Sequence, residues 1–332
     1  MGRLVTLNSG NIELGVLPDL GGVVALFRLS DKPNVLKADH AIWNAPPRIR
    51  RSFGPETRWK AHNGHIIWVG PQSEWWIHQE KSPRRQQKKA VWPPDPYLNF
   101  GYFEPTEKSD THITMVGPPS EFTGLQMTKT IVIREDDTVS FHVRATNIRS
   151  RPVAWDLWFN TRVDGYARCY VPLSDTDLVR VDHRNTRSQE AGSFQHEAGF
   201  LNTDPLPPSN GKKHRWAKAF IPADYGLMTA FASSQAFTIR FSRHEAEQIH
   251  PEHSLVELYN CTSHNRADAL TELEYHTPYR TLLPGESMEA SEEWILQPFS
   301  RCDDHRSCIS YMKELVSDEL LKKQEIGSAV YS

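Results

Sequence analysis

The segment LQMTKTIVIREDDTVSFHVRAT at residues 125–146 carries the pattern that decides the fold of this chain. Its centre, Glu135-Asp136-Asp137, is polar and predicts a turn. After the turn, apolar residues at every second position alternate with polar ones, as in an antiparallel strand with one buried face. The segment therefore predicts a β-hairpin. The apolar positions of its second strand are Val139, Phe141, Val143 and Ala145.

Similar strand patterns recur along most of the chain, and no helical pattern separates them. Such a series favours one large antiparallel sandwich over alternating strand–helix units. Near the end of the chain, Ile309, Met312, Val316 and Leu320 recur at helical spacing and predict a helix over 303–324. We therefore expect an all-β domain at 1–298 and a helical appendage at 299–332 that packs on it. The further predicted strands span 3–8, 11–18, 22–29, 111–117, 151–164, 166–172, 215–222, 226–232, 235–242, 254–261, 269–276 and 287–297.

The composition of the 332-residue chain limits its partners. A net charge of −3 gives no reason to expect a nucleic-acid or membrane partner. The first residues enter a strand pattern without a long apolar stretch, so we expect no signal peptide and a cytoplasmic protein. The four cysteines form no CxxC pair and are expected to be free thiols. A small molecule is the expected partner, and the oligomeric state stays open.

The segment 153–164 contains a candidate binding site. Its odd-numbered positions are mostly apolar and form a core face. The opposite face carries a carboxylate, an indole, an amide and a guanidinium, about 7 Å apart because every second side chain of a strand shares a face. These groups suit the hydroxyls and the apolar face of a sugar, although a salt-bridged outer face has a similar composition. They are Asp156, Trp158, Asn160 and Arg162.

Two further segments, 63–76 and 270–294, place polar groups where strand alternation predicts core. In the second, Glu272, Glu274 and His276 share one strand face. A sequestered Glu beside a His can have a pKa suited to general acid–base chemistry. We therefore predict Glu274, then Glu272, as a base, and His65, then His62, as an acid. The substrate-binding candidates of these segments are Asn63, Trp68, Gln72, Glu74, Trp75 and His276.

The histidines also suggest a metal-dependent alternative. His62, His65, Glu74 and His78 have the residue types of a cupin-like metal site. Side chains three residues apart on a strand point to opposite faces, so His62 and His65 do not share one. We therefore predict a pocket without a metal. The chain also lacks a Gly-rich phosphate loop, a nucleophile elbow and a dinucleotide fingerprint, so no cofactor is expected.

Three segments together resemble the galactose mutarotase-like superfamily, the group that contains the aldose 1-epimerases. They are NGHIIWVGPQSEWW at 63–76, WPPDP at 92–96 and ELEYHTPYRTLLPGES at 272–287. The resemblance covers roughly 1–298 and implies an antiparallel β-supersandwich whose concave sheet binds a sugar. It also implies a catalytic Glu before the Leu-x-Pro-Gly-Glu turn, at Glu272 or Glu274. The segment that resembles the epimerase acid motif has no His here, and Tyr279 stands where the family has an Asp after Pro278.

The resemblance implies binding of an aldose or sugar phosphate and exchange of its anomers by Glu and His. In that mechanism one group takes the proton of the anomeric hydroxyl and another protonates the ring oxygen. Three alternatives stay open: a non-catalytic carbohydrate-binding or sensing protein, a lyase or hydrolase that uses the same concave face, and the cupin-like metal-dependent enzyme. The sequence does not identify the sugar.

Overall fold

The computed structural model describes residues 4–43, 53, 61–183 and 185–329, with side chains described to residue 320. Within these ranges most of the chain forms short strands joined by turns. The strands, in chain order, are β1 Val5–Asn8, β2 Ile12–Leu17, β3 Val23–Leu29, β4 His65–Gly70, β5 Glu104–Lys108, β6 His112–Val116, β7 Leu125–Ile133, β8 Val139–Asn147, β9 Val153–Asp164, β10 Arg168–Pro172, β11 Arg180–Asp182, β12 Gln189–Ala191, β13 Phe194–Glu197, β14 Phe200–Thr203, β15 His214–Ile221, β16 Leu227–Ala232, β17 Gln235–Phe241, β18 Val256–Ser263, β19 Leu270–His276, β20 Arg280–Leu282 and β21 Ser287–Pro298.

The strands form two large, mainly antiparallel sheets. The first has the order β1-β2-β3-β4-β9-β19-β18-β15-β11, with β12 paired to β15 and β20 paired to β9. The second has the order β13-β14-β10-β16-β17-β21-β8-β7-β6-β5. The predicted hairpin is β7–β8, whose register runs from Leu125 opposite Asn147 to Ile133 opposite Val139. The predicted antiparallel sandwich is therefore confirmed.

An aromatic core joins the two sheets. The ring of Phe27 on β3 lies 5.3 Å from that of Phe237 and 5.4 Å from that of Trp294, which belong to the second sheet. Phe141 on β8 stacks on Trp294 at 5.8 Å. All four side chains are fully buried. Burial of such large rings is worth several kcal/mol of unfolding free energy, and it fixes which face of each sheet points inward.

Four helices lie outside the sheets in the described part of the chain. The long helix α4 places Cys308, Ile309 and Met312 against Tyr170 and Phe231, on the outer side of the second sheet. Among the described residues, no helix is both long enough and apolar enough to cross a membrane. The helices are α1 His40–Trp43, α2 Pro83–Gln87, α3 Pro96–Phe100 and α4 His305–Ala329, and 3-10 turns cover Gln72–Glu74, Ala246–Gln248 and Arg266–Asp268.

Two polar segments that suggest long loops are more regular than their composition indicates. The basic segment 81–89 contains helix α2, because Ser82 accepts a hydrogen bond from the backbone N–H of Arg85 and Pro83 occupies the first turn. The segment 183–213, rich in Asn, Gly, Pro and Ser, contains strands β12, β13 and β14. These strands form because pairing with neighbouring strands outweighs weak local propensity.

One carboxyl group lies in the apolar core. Glu292 on β21 is fully buried and accepts a hydrogen bond of 2.8 Å from the indole N–H of Trp294. Its Oε1 has no hydrogen-bond partner among the described residues. Burial raises the pKa of Glu292 from 4.5 to about 8. The folded protein therefore holds a proton that the unfolded chain releases at neutral pH.

We expect Glu292→Gln to stabilise the protein increasingly as the pH rises. Because the folded pKa is raised, the stability due to the protonated Glu292 is complete below about pH 4.5 and is lost as the pH rises towards about 8. The Gln variant avoids that loss, which is roughly 1.4 kcal/mol for each pH unit in the window. Denaturant unfolding of both proteins at pH 5 and pH 8 measures the difference.

The matched control is Glu289→Gln, which changes an exposed residue of the same strand. We expect this control to show no comparable pH-dependent gain. An equal stability difference between wild type and Glu292→Gln at both pH values would contradict the assignment of a buried, protonated Glu292.

Candidate functional site

A buried polar surface covers the outer side of the first sheet, opposite the aromatic core. Neighbouring strands β4, β9, β19, β18 and β15 form its floor. Because side chains alternate, Leu157 and Phe159 enter the core while Trp158 and Asn160 point to the other side. Asn160 lies opposite Glu274, and Glu274 lies opposite Glu257. We call this surface the polar face; its members are Asp156, Trp158, Asn160, Arg162, Lys218, Glu257, Glu272, Glu274 and His276.

Glu274 lies at the centre of the polar face and is fully buried. Its Oε1 accepts a hydrogen bond of 3.2 Å from the side-chain amide of Asn160. Its Oε2 accepts one of 3.2 Å from the indole N–H of Trp158 and one of 2.7 Å from the ammonium of Lys218. These three donors come from two strands, so the position of the carboxyl is fixed by the sheet itself.

Lys218 bridges two buried carboxylates. Its Nζ lies 2.6 Å from Glu257 Oε2 and 2.7 Å from Glu274 Oε2, and both of these carboxyl side chains are completely buried. The ammonium also lies 5.1 Å from the ring centre of Trp158. In such a low-dielectric setting the attraction between an ammonium and an ionised carboxylate is strong, and each of the three groups depends on the others for its position.

A second ion pair lies beside the first. Arg162 Nε donates a hydrogen bond of 2.7 Å to Glu272 Oε1, and their side chains are 6% and 15% exposed. Arg162 Nη1 and Asn160 Oδ1 are buried and have no hydrogen-bond partner among the described residues. Buried polar atoms are nearly always hydrogen bonded in folded proteins. This donor and this acceptor therefore lack the partners that buried polar atoms normally have.

The neighbouring charges separate the pKa values of the glutamates. Burial raises the pKa of Glu274 well above its usual value, and the nearby Glu272 and Glu257 carboxylates act in the same direction. Burial would also raise the pKa of Glu257, but Lys218 and His276 outweigh it and hold the pKa well below the usual value. Arg162 and Lys218 likewise lower the pKa of Glu272 against the effect of burial.

The polar face ends at an imidazole between two carboxylates. His276 Nδ1 lies 3.6 Å from Asp156 Oδ1, and His276 Nε2 lies 3.5 Å from Glu257 Oε1. Burial alone would lower the pKa of His276, but Glu257 and Asp156 outweigh it and raise the pKa to about 9. Asp156 also accepts a hydrogen bond of 3.0 Å from the backbone N–H of Gly70.

His65 does not belong to the polar face. It lies on the core side of β4, where its ring is 4.6 Å from that of Phe141 and 4.7 Å from that of Trp294. Its Nδ1 is hydrogen bonded to Thr161 Oγ1 at 2.8 Å, on the core side of β9. Burial lowers the pKa of His65 well below its usual value. The sheet thus separates His65 from Glu274, which corrects the expectation that the two face one sugar.

The other candidates of segment 63–76 lie around strand β4. The ring of His62 packs on Phe100 at 5.3 Å, and Asn63 forms an isolated bridge with Ala38 at a positive φ of 57°. Beyond the strand, Gln72 donates a hydrogen bond to the carbonyl of Val91. Segment 63–76 therefore contributes to the polar face the indole rings of Trp68 and Trp75, which pack on Trp158, and the backbone N–H of Gly70.

Glu74 and His78 are engaged in separate contacts. Glu74 accepts a hydrogen bond of 2.7 Å from the hydroxyl of Tyr279, while His78 Nε2 accepts one of 3.3 Å from the backbone N–H of Ala154. Neither residue joins His62 or His65 in any group of potential metal ligands found among the described residues. The cupin-like alternative, which required these four together, is not borne out by this geometry.

The predicted stacking indoles pack on each other. Trp68, Trp75 and Trp158 are 4–5% exposed, and their ring centres lie 4.9–6.2 Å apart. They therefore offer little ring surface to a sugar. Partly exposed rings on the same side of the sheet come instead from Trp216 on β15 and Tyr259 on β18, whose centres are 5.9 Å apart.

Sequence analysis missed Lys218, Glu257, Trp216 and Tyr259. A signal for the first was present, since HRWAKAFI at 214–221 alternates strictly and puts Trp216, Lys218 and Phe220 on one face. Glu257 is the one charged residue of its strand and stands between Val256 and Leu258, so burial of its carboxylate requires a partner. Only the strand order, which brings β15 and β18 beside β19, shows that these residues meet Glu274.

The family model described as "Domain of unknown function (DUF4380)" matches residues 3–297. A comparison with curated protein sequences gives no match. Among solved structures, a galactose mutarotase-like protein from Lactobacillus casei superposes with a TM-score of 0.52 and 13% identity, over 89% of this chain and 100% of that one. A candidate aldose 1-epimerase from Klebsiella pneumoniae superposes with a TM-score of 0.53 and 12% identity, over 90% and 80%.

A third similar structure is a TPR-domain containing protein from Parabacteroides distasonis, with a TM-score of 0.54 and 13% identity. The match covers 89% of this chain but 47% of that protein, so this chain spans about half of its length. Identities this low establish the shared fold alone. The resemblance inferred from the sequence is confirmed at that level: the fold is that of galactose mutarotase-like proteins.

Proposed function

We propose that this chain, which belongs to the DUF4380 family of domains of unknown function, binds a carbohydrate on its polar face and interconverts the anomers of an aldose. The fold supports the sugar as ligand class, since its structural neighbours include a galactose mutarotase-like protein and a candidate aldose 1-epimerase. The polar face supports the location. The sugar would lie over Glu272 and Glu274, beside Trp216 and Tyr259.

One observation carries this proposal: an unpartnered donor and an unpartnered acceptor lie beside a fixed carboxyl group. Arg162 Nη1 and Asn160 Oδ1 have no partner among the described residues, and Asn160 also holds Glu274 in place. Sugar hydroxyls both donate and accept hydrogen bonds, so they satisfy both atoms at once. A ligand without hydrogen-bonding groups at these positions would leave both atoms unsatisfied, at a cost of about 1–3 kcal/mol each.

The chemistry of anomer exchange requires proton transfers at two oxygens of the sugar. Glu272, whose pKa Arg162 and Lys218 lower against the effect of burial, takes the proton of the anomeric hydroxyl as the bond between C1 and the ring oxygen breaks. Glu274, two residues away on the same strand face, has a pKa that burial raises and gives its proton to the ring oxygen. The aldehyde then rotates, and the reverse steps close the ring with the other configuration. Positioning of these groups supplies the catalysis.

A non-catalytic carbohydrate-binding or sensing protein is the second candidate, and one observation favours it. Lys218 and Arg162 engage the two central carboxyl groups in ion pairs, and His65 lies on the other side of the sheet. A binding protein needs only the hydrogen-bonding groups. Both functions predict that the chain binds a sugar. Only the enzyme is predicted to accelerate the interconversion of the anomers of that sugar.

Carbohydrate binding is tested by ligand-observed NMR and calorimetry on the full chain with a panel of aldoses and their 6-phosphates. We expect saturable binding of at least one sugar, and enhanced affinity for a 6-phosphate would place its phosphate near Arg162 or Lys218. Absence of binding across the panel would contradict both candidate functions.

Arg162→Ala should weaken binding of any sugar found in this way by about 10–100-fold. A hydrogen bond from a charged donor is worth about 1.5–3 kcal/mol, and removal of the guanidinium also leaves Glu272 without its partner. Calorimetry measures the dissociation constant, and the unfolding midpoint shows that the variant is folded. Arg266→Ala, which removes a guanidinium that is 70% exposed at the end of β9, is the control and should bind like the wild type.

A further inference from the structure

At the deep end of the polar face, we infer a binding site for one divalent transition-metal ion with Asp156, His253 and His276 as ligands. One ligand atom from each residue lies within 4.8 Å of the other two. Donors about 2.05 Å from a tetrahedral zinc ion are about 3.3 Å apart, so small side-chain movements close the site. The inference does not depend on the proposed carbohydrate function.

Two potential ligand atoms, Asp156 Oδ2 and His253 Nε2, lack a hydrogen-bond partner among the described residues. The ring nitrogens of His276 have longer ion-pair contacts, at 3.5 Å from Glu257 Oε1 and 3.6 Å from Asp156 Oδ1. Asp156 and His276 are fully buried, and the His253 side chain is 5% exposed. Unpartnered polar atoms in a buried cluster are rare in folded proteins. A bound cation satisfies the carboxylate and one nitrogen of each imidazole.

Gly70 leaves room at the same point. A Cβ atom at this residue would lie 2.6 Å from Asp156 Oδ1, 2.9 Å from Asp156 Oδ2 and 2.9 Å from His253 Nε2. The carboxylate and the imidazole nitrogen therefore approach a common position that any other residue would fill. The backbone N–H of Gly70 also donates to Asp156 Oδ1 and orients the carboxylate.

Glu257 lies behind both imidazoles. His253 Nδ1 lies 2.9 Å from Glu257 Oε1, and His276 Nε2 lies 3.5 Å from the same oxygen. An imidazole that donates one N–H to a carboxylate presents its other nitrogen as a lone pair, which is the usual arrangement behind a metal-bound histidine. Glu257 is itself held by Lys218 at 2.6 Å. The two rings stack at 3.9 Å, and Trp158 covers them at 5.1–5.3 Å.

The ligand types indicate which metal the site prefers. Two imidazoles and one carboxylate select a first-row ion such as Zn²⁺ over Mg²⁺ or Ca²⁺, which prefer oxygen ligands alone.

His253 also lines a cavity of about 270 Å³ that opens on the surface. Four acidic residues line the cavity, together with Arg243 and His244, so its charge is mainly that of carboxylates. The four are Asp175, Asp224, Glu245 and Glu247.

This site differs from the histidine set considered in the sequence. His62 and His65 are three residues apart, so on a strand their side chains point to opposite faces. That spacing was the reason for expecting a pocket without a metal. The ligands inferred here come from β9, from the loop before β18 and from the end of β19, and these positions become neighbours only through the strand order. No motif spacing along the chain reveals such a set.

The test uses the full chain without sugar. The purified protein is dialysed against a chelator, then reconstituted with Zn²⁺ or Co²⁺ and freed of excess metal, and elemental analysis gives the metal content. We expect one ion per chain and, with Co²⁺, the visible absorption of a site with nitrogen and oxygen ligands. His253→Ala and Asp156→Asn should each weaken Co²⁺ binding at least 100-fold, and Glu257→Gln should weaken it about 10–100-fold.

Two controls separate ligation from general effects. His250→Ala lies three residues from His253, and Asp164→Asn lies at the other end of the same strand as Asp156; both should bind Co²⁺ like the wild type. The inference is overturned if wild-type protein retains no stoichiometric ion, which would mean that protons neutralise the cluster, or if His253→Ala binds Co²⁺ as tightly as the controls. Because no sugar is present, neither outcome bears on the carbohydrate proposal.

Discussion

Glu274→Gln should slow the proposed anomer interconversion by about 10²–10⁴-fold, the usual contribution of a group that transfers a proton in the transition state. The amide has the shape of the carboxyl group and can still accept hydrogen bonds from Asn160 and Trp158, but it cannot give a proton to the ring oxygen. Exchange NMR or polarimetry on a sugar that the wild type binds measures the rate. The dissociation constant should change much less than the rate.

Glu272→Gln tests the base. Glu272 lies two residues away on the same face, and Arg162 engages it at 2.7 Å. Because Glu272 takes the anomeric proton in the proposed mechanism, its Gln variant should also slow the exchange by about 10²–10⁴-fold. Equal exchange rates for Glu274→Gln and wild type, in a folded protein, would remove Glu274 from the mechanism.

Lys218→Met should lower the free energy of unfolding by about 3–5 kcal/mol, the usual effect of removing one partner from a buried ion pair. The thioether side chain retains most of the packing against Trp158, but Glu257 and Glu274 lose the cation that lies 2.6–2.7 Å from both. Denaturant unfolding measures the loss. Lys213→Met, at an exposed position just before the same strand, should change stability by less than about 0.5 kcal/mol.

A triple variant identifies the cause of this loss. Adding Glu257→Gln and Glu274→Gln to Lys218→Met removes the two uncompensated carboxyl groups, so we expect most of the lost stability to return. A triple variant as unstable as Lys218→Met alone would show that Lys218 acts through packing rather than through charge.

The fold was predictable because the alternating pattern of each strand is regular and lies within a short segment of the sequence. The alternation in 125–146 fixed both the hairpin and its buried face, and β8 has the alternating burial that the sequence indicates. Alternation in 153–164 likewise put Asp156, Asn160 and Arg162 on one side, where the structure places them. Side chains alternate between the two faces of a strand because of the geometry of the strand itself. This alternation can therefore be predicted without knowing the neighbouring strands.

The partners across the site were not predictable in the same way. Strand β4 is apolar on both faces apart from His65, so its alternation does not tell which face enters the core. Its pairing with β9, which puts His65 opposite Thr161, decides this. Lys218 and Glu257 reach Glu274 through the order of β15, β18 and β19, a long-range property that no local pattern encodes.

The most direct test of the central claim is exchange NMR of wild-type protein with each sugar that it binds, in a buffer in which spontaneous mutarotation is slow. We predict that catalytic amounts of the chain accelerate the interconversion of α and β anomers of at least one aldose or aldose 6-phosphate. Saturable binding of these sugars with no acceleration of anomer exchange for any of them would contradict the claim and leave a carbohydrate-binding protein.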